Sequence, residues 1–452
     1  MKSSVFIKRL TYWCAATMLV ISMAGCSLDY VNPNAAAENQ VLTTREGVFS
    51  LTVGMQQFYT TQTLGSVVTI PGATAREVGT PTTFQNPLDL EIGGSLLPPE
   101  HGSIFTLWAQ SYRTIGMADN LINSTPNIGN ISAGTRAGII ALASVYKAMT
   151  LGHLIMYFEQ VPITVGTPSN NATFRSRADV LTEVNRLLDN AASLIAANPP
   201  GAEFTGSILA RGFNLANTIQ AMRARFLNMA GRHADAIAAA NNVNVSLAGV
   251  STFTFDTQQN RNPVFVIMPL GGNYAPIDNF GTLGLNDTTD ARLRFFMGAQ
   301  NRFSATSLRL PLDSLVCRFF TAADAAIPVF RVGEMALIRA EAQARQGNLT
   351  AAVAEINAIR TKRAANDPHG IGAGLSAYAG AMTAEAVLTE IYAQRCAELF
   401  MTGMRMEDAR RFGRPAPTPT ASGTVERSRN YYPYPSLERD NNRANTPADP
   451  AI

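Results

Sequence analysis

The sequence predicts a mainly α-helical protein made of about four tetratricopeptide-like helix pairs, with long loop insertions that carry a few short strands. Three observations lead to this fold class. Apolar residues recur at helical spacing in several long segments, and the sequences of two Ala-rich segments can be aligned with each other. Two further segments, rich in Gly, Pro, Thr, Asn and Phe, break the helical pattern and are therefore predicted to be insertions.

The first residues predict a lipoprotein signal peptide over 1–25. Three positive residues precede an apolar stretch that ends at Gly25, which is too short to span a bilayer but has the length of a signal-peptide core. Small residues stand directly before Cys26, although Met23 replaces the Leu that is usual in this pattern. We therefore expect lipidation of Cys26 and a polar tether over 26–40. The alternative is an ordinary secretory signal followed by a chance cysteine.

The predicted mature chain is electrically neutral. Removal of the signal leaves 427 residues (452 − 25), with 33 Lys and Arg (36 − 3) against 33 Asp and Glu. A neutral chain lacks the basic footprint that nucleic acid or an anionic lipid surface would require, so no nucleic-acid partner is expected. Two cysteines remain after Cys26, and Cys317 and Cys396 either form one disulfide or stay as buried thiols.

Residues 41–452 are predicted to form a single helical domain. Its first four helical segments have apolar residues at helical spacing, and the third is apolar nearly all round, which indicates a central position. These segments are Thr43–Thr61, Ser103–Asn123, Gly138–Phe158 and Ser176–Asn198.

Two later segments resemble each other. When 223–243 is laid on 339–359, Gly231 matches Gly347 and Ala236 matches Ala352. Each segment predicts a helix, a Gly turn and a second helix that starts with small residues, as in a tetratricopeptide unit. The pattern predicts helix pairs at about 138–197, 207–242, 330–364 and 383–413.

The insertions at about 62–102 and 244–329 do not fit the repeat. They contain short apolar runs, such as VFVIMPL at 264–270, which suggest small strands within long loops. Loops of this length in a compact protein usually carry function or are disordered, and their Phe and Tyr content argues against disorder.

No local motif predicts catalysis, a metal site or a cofactor. HExxH, GxSxG and a P-loop are absent, and the four histidines are scattered. Arg405, Asp408 and Arg411 share one helix face and predict a structural ion-pair ladder, while Glu341 between two alanines predicts a buried polar contact between helices. A glycosidase carboxylate pair could still be formed by distant acids, but no local feature supports one.

Several motifs in order and spacing resemble the SusD/RagB family of outer-membrane nutrient-binding lipoproteins. In the C-terminal part they are Arg331, Glu334, LIRAEA at 337–342, QRCAELFMTGMRMEDARRFG at 394–413 and YYPYPSLERDNN at 431–442. In the N-terminal part they are Cys26, LDYVNP at 28–33, Trp108, Tyr112, ADN at 118–120 and YFEQVPI at 157–163. Gln394, Thr402, Ala409 and Arg339 depart from the family pattern at helix-packing positions.

The resemblance implies a helical body that carries a ligand-binding face made of loops. It also implies a lipid anchor in the outer membrane, an orientation towards the cell exterior, and partnership with a TonB-dependent, SusC-like outer-membrane barrel. An oligosaccharide is the first ligand class that it implies, with other polymer fragments left open. Two other hypotheses remain, namely a tetratricopeptide-type scaffold for envelope assembly and a surface glycan hydrolase.

Ligand recognition is expected on the two insertions, because packed helices offer little concave polar surface. Each insertion places a ring beside amide or carboxylate groups, a combination that suits a sugar. The candidate ligand-binding residues are Arg76, Glu77, Phe84, Gln85 and Asn86 in the first insertion, and Tyr274, Asp278, Asn279 and Phe280 in the second. The alternative is that Phe84 and Phe280 only anchor the loops on the helices.

Overall fold

Helices dominate the described chain, as the sequence predicts. The computed structural model describes residues 42–166, 171–298, 303–304, 308, 310–418 and 425–452. The predicted signal peptide, the lipidation site Cys26 and the tether over 26–40 lie outside these residues.

The first half of the body contains the longest helices. α1 begins after Thr44, whose hydroxyl accepts a hydrogen bond of 3.1 Å from the backbone N–H of Gly47, as expected for an N-cap. The helices of this half are α1 Arg45–Phe58, α2 Leu64–Thr74, α3 Gln85–Ile92, α4 Gly102–Ser124, α5 Ala133–Tyr157, α6 Arg177–Ala197 and α7 Ala202–Ser207.

The second half contains shorter helices. They are α8 Leu215–Met229, α9 His233–Asn241, α10 Pro263–Phe265, α11 Ala291–Phe296, α12 Gly333–Arg345, α13 Leu349–Arg360, α14 Ala384–Glu398, α15 Arg405–Arg411 and α16 Ser436–Asn441.

Four helix pairs form the scaffold, and this prediction is confirmed. The pairs are α5 with α6, α8 with α9, α12 with α13, and α14 with α15, and successive pairs pack on one another. Gly231 and Gly347 end α8 and α12 with φ of 73° and 82°, a left-handed conformation that glycine adopts without strain. The matched glycines therefore mark equivalent turns.

Helix α5 lies at the centre of the body. It is the one described helix long and apolar enough to cross a membrane, but 94% of its most apolar window is buried inside the protein, which identifies it as a core helix. Trp108 on α4 is also a core residue, in an aromatic cluster with Tyr112, Phe158 and Tyr434.

The first insertion differs from its prediction. Instead of one long loop over 62–102, it contains α2 and α3, and every residue of α2 is buried. The sequence of α2, LGSVVTIPGAT, is apolar all round, β-branched and interrupted by Pro71, so neither periodicity nor propensity indicates a helix. Burial against the surrounding elements stabilises it instead.

The second insertion is irregular, but the run at 264–270 is not a strand. It continues α10 into a π-helical turn at Val266–Leu270, and the side-chain oxygen of Asn262 caps this element by accepting from two backbone N–H groups at 3.0 Å. The described strands are only two residues long and pair antiparallel. They are β1 Val78–Gly79 with β5 Ala275–Pro276, β2 Val161–Pro162 with β3 Phe174–Arg175, β4 Thr252–Phe253 with β8 Ile327–Pro328, and β6 Phe303–Ser304 with β7 Pro311–Leu312.

Buried polar groups join the C-terminal helices. Glu341 is fully buried and accepts hydrogen bonds from Asn228 at 2.9 Å and Arg345 at 2.8 Å, as the sequence predicts. The predicted ladder forms only between Asp408 and Arg411, at 2.6 Å. Arg405 instead lies 4.0 Å from Glu77, because its side chain extends towards the first insertion. Both cysteines of the described body are buried free thiols and are not bridged.

Candidate functional site

An open pocket of about 560 Å³ lies where the two predicted insertions meet. Its walls come from α2, from the first turns of α3 and α4, and from the π-helical turn with the segment that follows it. The lining residues are Ser66, Thr69, Ile70, Phe84, Gln85, Asn86, Pro87, Gly102, Ser103, Thr106, Ile267, Asn273 and Tyr274.

Phe84 presents an aromatic ring at this pocket. It occupies the N-cap position of α3 in an extended conformation, and 62% of its surface is exposed. Phe84 therefore does not anchor its loop in the core. An exposed aromatic ring beside a concave surface is a common feature of ligand sites.

One histidine holds the first turns of α3 and α4 together. His101 caps α4 through Nδ1, which accepts from the backbone N–H of Ile104 at 3.4 Å, and its Nε2 lies 3.0 Å from the carbonyl oxygen of Asn86. Burial lowers the pKa of His101 below its ordinary value, so the ring is neutral and donates to that carbonyl from Nε2. His101 thus fixes the relative position of Asn86 and Ser103 without contributing a charge.

Two π-helical turns flank the pocket. One, at Tyr59–Thr63, leads directly into α2, and the other contains Ile267 of the pocket wall. Such turns are rare and occur frequently at functional sites, because they displace a helix locally and redirect its side chains.

Tyr274 forms the floor of the pocket. It directly precedes β5, which pairs with β1 and so joins the two insertions. The residue is 7% exposed, and burial raises the pKa of its hydroxyl above the ordinary value, which keeps it a neutral donor and acceptor.

Several polar groups of the pocket are available to a ligand. The side chains of Asn86, Ser103, Asn273 and Tyr274 have no hydrogen-bond partner among the described residues. Two amides and two hydroxyls thus stand near an exposed aromatic ring.

The structure brings together four of the nine predicted binding residues. Phe84, Gln85 and Asn86 from the first insertion line the same pocket as Tyr274 from the second. Gln85 also donates a hydrogen bond from its amide to Asp89, one turn further along α3.

Arg76, Glu77 and Phe280 are buried, and we correct their predicted role. Arg76 donates to the carbonyl oxygen of Glu91, and Glu77 accepts from the backbone N–H of Met401 at 2.9 Å. Burial raises the pKa of the Glu77 carboxyl. Arg405, at 4.0 Å, lowers this pKa but by less than burial raises it. Phe280 is fully buried against other rings, so it anchors its loop.

Asp278 and Asn279 do not line this pocket either. Asp278 borders a different cavity of about 830 Å³, and the amide of Asn279 donates to the carbonyl oxygen of Asn286 at 3.2 Å. These residues lie past the strand β5, where the chain turns away from Tyr274. The predicted second cluster therefore contributes only its first member.

Sequence reasoning missed most of the wall of the pocket. Ser66 and Thr69 lie on α2, which periodicity does not reveal, and Ser103 and Thr106 begin a helix whose pattern indicates a core element. Asn273 directly precedes Tyr274, so the ring-and-amide pattern that selected Tyr274 could have included it.

The described residues contain no group of three or more His, Cys, Asp or Glu side chains that could hold a metal ion. The pocket itself is lined by hydroxyls, amides and apolar groups. Its chemistry suits hydrogen bonding and stacking.

Solved structures with the same helical architecture cover most of this chain. A SusD superfamily protein from Bacteroides thetaiotaomicron is 16% identical with a TM-score of 0.70, over 90% of this chain and 100% of that one. Surface glycan-binding protein A from the same species, solved with laminarihexaose, is 13% identical with a TM-score of 0.66, over 90% and 100%. A SusD-like carbohydrate binding protein from Bacteroides vulgatus is 14% identical with a TM-score of 0.64, over 82% and 84%.

The SusD family model matches residues 320–449. This match and the shared fold confirm the resemblance to the SusD/RagB family that the sequence motifs indicate. No curated protein matches the chain at the sequence level.

Proposed function

We propose that this protein is a cell-surface lipoprotein that binds an oligosaccharide in the pocket between α2, α3 and α4 and delivers it to a TonB-dependent outer-membrane transporter. The observation that carries the binding proposal is the exposed ring of Phe84 beside amides and hydroxyls that have no partner among the described residues. Structural relatives described as carbohydrate-binding or glycan-binding support it.

The pocket groups have the chemistry that a sugar ring requires. A pyranose has an apolar face of C–H groups, which stacks on an aromatic ring, and hydroxyls that both donate and accept hydrogen bonds. Amide and hydroxyl side chains also donate and accept, so they match these hydroxyls without a net charge. Phe84 supplies the stacking surface, and the side chains around it supply hydrogen bonds.

The protein is proposed to bind the glycan without cleaving it. Glycosidases require two carboxyl groups about 5 to 9.5 Å apart across the scissile bond. Among the described residues, those that line the pocket include no Asp, Glu or His. Hydrolysis would thus need groups that do not reach the bound ligand.

The sequence supports the lipid anchor and the transporter partner in this proposal. Cys26 follows a signal-peptide core and small residues, and a polar tether separates it from the body. The resemblance to the SusD/RagB family supports a barrel partner, because the proteins of that family work beside TonB-dependent barrels. Co-purification from detergent-solubilised membranes should recover a large outer-membrane barrel, and recovery of only envelope-assembly subunits would contradict this part.

Calorimetric titration of the full chain with glucan, mannan and xylan hexasaccharides tests the binding site. We expect at least one of them to bind, and Phe84→Ala to weaken it about tenfold or more, since loss of a stacking ring costs about 1–3 kcal/mol. Phe105→Ala is the matched control, because Phe105 is also exposed, at 38%, but does not line the pocket. Absence of any binding, or equal binding by Phe84→Ala and the parent, would contradict the proposal.

A further inference from the structure

The described residues that line the pocket include no charged side chain. Of the lining residues only Tyr274 can ionise, and burial keeps its hydroxyl protonated. A carboxylate or sulfate on a ligand is normally held by Arg or Lys, because the desolvated anion requires a positive partner. No lining residue offers such a partner.

The sequence around the pocket contains few positive residues, and the exposed Arg261, directly before the second wall segment, does not line the pocket. Arg76 is the only Lys or Arg between Arg45 and Arg113, and it is 1% exposed and donates to the carbonyl oxygen of Glu91. The guanidinium therefore lies beneath the site and does not reach the pocket. Arg113 stacks on the ring of Phe58, 4.7 Å from its centroid, and does not line the pocket either.

Two of the three segments that build the walls contain acidic residues, and the third contains no charged residue. Residues 77–112 contain four acids, Glu77, Asp89, Glu91 and Glu100, and residues 262–285 contain one, Asp278. Neither segment contains Lys or Arg, and residues 64–75 contain no charged residue at all. Glu100 is exposed and Asp89 is half-buried, so the charge that these segments present to solvent is negative.

The first turns of α3 and α4 line the pocket, and the first backbone N–H groups of a helix have no partner within the helix. Such groups bind hydroxyl oxygens as well as anions, and their partial positive charge falls off within one turn. At an open site the charge is also screened by water and salt. The helix ends therefore add hydrogen bonds to the site, but they do not replace a missing cation.

We infer that the ligand of this pocket is a neutral glycan, free of uronic acid and sulfate groups. This inference rests on the proposed function, because it specifies the ligand of the same site. The uncharged wall disfavours anionic glycans because it leaves their charge without a partner. The amide and hydroxyl side chains of the pocket favour glycans whose own hydroxyls are unmodified.

The test compares each neutral hexasaccharide with its own oxidised form. Glucan and mannan hexasaccharides are titrated against the full chain before and after oxidation of their primary hydroxyls to carboxylates. We expect the neutral form to bind at least about tenfold more tightly. Equal or tighter binding of the oxidised form would overturn the inference while leaving glycan binding intact, whereas no binding of either form, nor of the xylan hexasaccharide, would overturn the proposed function itself.

Two variants of Thr106 test whether the lack of a positive charge in the pocket causes the preference for the neutral glycan. Thr106 lines the pocket with an exposed side chain whose hydroxyl donates to the carbonyl oxygen of Gly102 at 2.8 Å. Thr106→Lys should reduce the preference for the neutral form about threefold or more at low salt. Thr106→Gln, which adds length without charge, should leave the preference unchanged. An identical effect of both variants would show that shape, and not charge, determines the discrimination and would overturn the inference.

Discussion

Tyr274 combines a buried ring with a hydroxyl that has no hydrogen-bond partner among the described residues. Truncation to Ala would leave a large void, so Tyr274→Phe is the informative change. We expect the melting temperature to stay nearly constant and the glycan affinity to fall about two- to tenfold, the value of one hydrogen bond. Calorimetric titration and thermal melts of both proteins provide the measurement, and unchanged affinity would place the hydroxyl outside the site.

Glu77 is predicted to make the stability of the fold pH-dependent. Burial raises the pKa of its carboxyl above the ordinary value of 4.5, although the backbone N–H of Met401 and the more distant Arg405 and Arg331 favour the charged form. The folded protein therefore binds this proton more tightly than the unfolded chain does. The resulting stability is fully present below the ordinary pKa of 4.5 and is lost as the pH rises through the folded pKa.

Glu77→Gln keeps an oxygen that can accept from Met401 and removes the titration. We expect the unfolding free energy of this variant, relative to the parent, to increase from about pH 4 to about pH 8, at a rate below about 1.4 kcal/mol per pH unit. Denaturant melts across this range give the difference. A difference that decreases with pH would mean that the charged pair with Arg405 stabilises the fold.

The roles of single residues were the hardest to predict. Gly, Pro and Thr surround Arg76 and Glu77 in the sequence, which suggests an exposed loop. Both side chains are nevertheless buried. Phe84 and Phe280 occur in similar local sequences, but one ring is exposed and the other is fully buried. Which of two similar rings faces solvent depends on distant segments, which local sequence does not specify.

At the scale of elements, the amphipathic helices were predictable because their apolar stripe and caps are local signals. α4 and α6 lie where the pattern placed them, within a few residues. The sequence did not predict α2, because this helix is buried on all sides and therefore has no apolar stripe opposite a polar face. The walls of the pocket depend partly on α2, and the sequence indicated only four of the thirteen described lining residues.

The turn between α12 and α13 gives a prediction at this scale. Gly347 has φ of 82°, and a β-carbon added there would meet no other atom within 4 Å, so Gly347→Ala introduces backbone strain without a clash. We expect the unfolding free energy to fall by about 1–2 kcal/mol. Gly206→Ala is the control, because Gly206 also has open space around it but lies within α7 without a positive φ, and it should be neutral or slightly stabilising. Equal effects of the two substitutions in denaturant melts would contradict this account of the turn.

At the scale of the whole molecule, the helix pairs and their order could be predicted from two segments whose sequences align and from the resemblance to a known family. The membrane anchor gives a prediction at this scale. Cys26→Ser should release the protein from the membrane fraction, because the described body offers only a buried core helix long enough to span a bilayer. Cell fractionation with immunoblotting gives the answer. Quantitative retention in the outer membrane without the barrel partner would contradict lipid anchoring at Cys26.

The pocket lies outside the part of the chain that the family model recognises. Its lining residues fall between 66 and 274, whereas the match covers 320–449. Substitutions in the wall can therefore accumulate without disturbing the C-terminal helix pairs. If the pocket binds a glycan as proposed, exchange of its wall segments between two proteins of this fold should transfer the ligand preference while the C-terminal helix pairs stay unchanged.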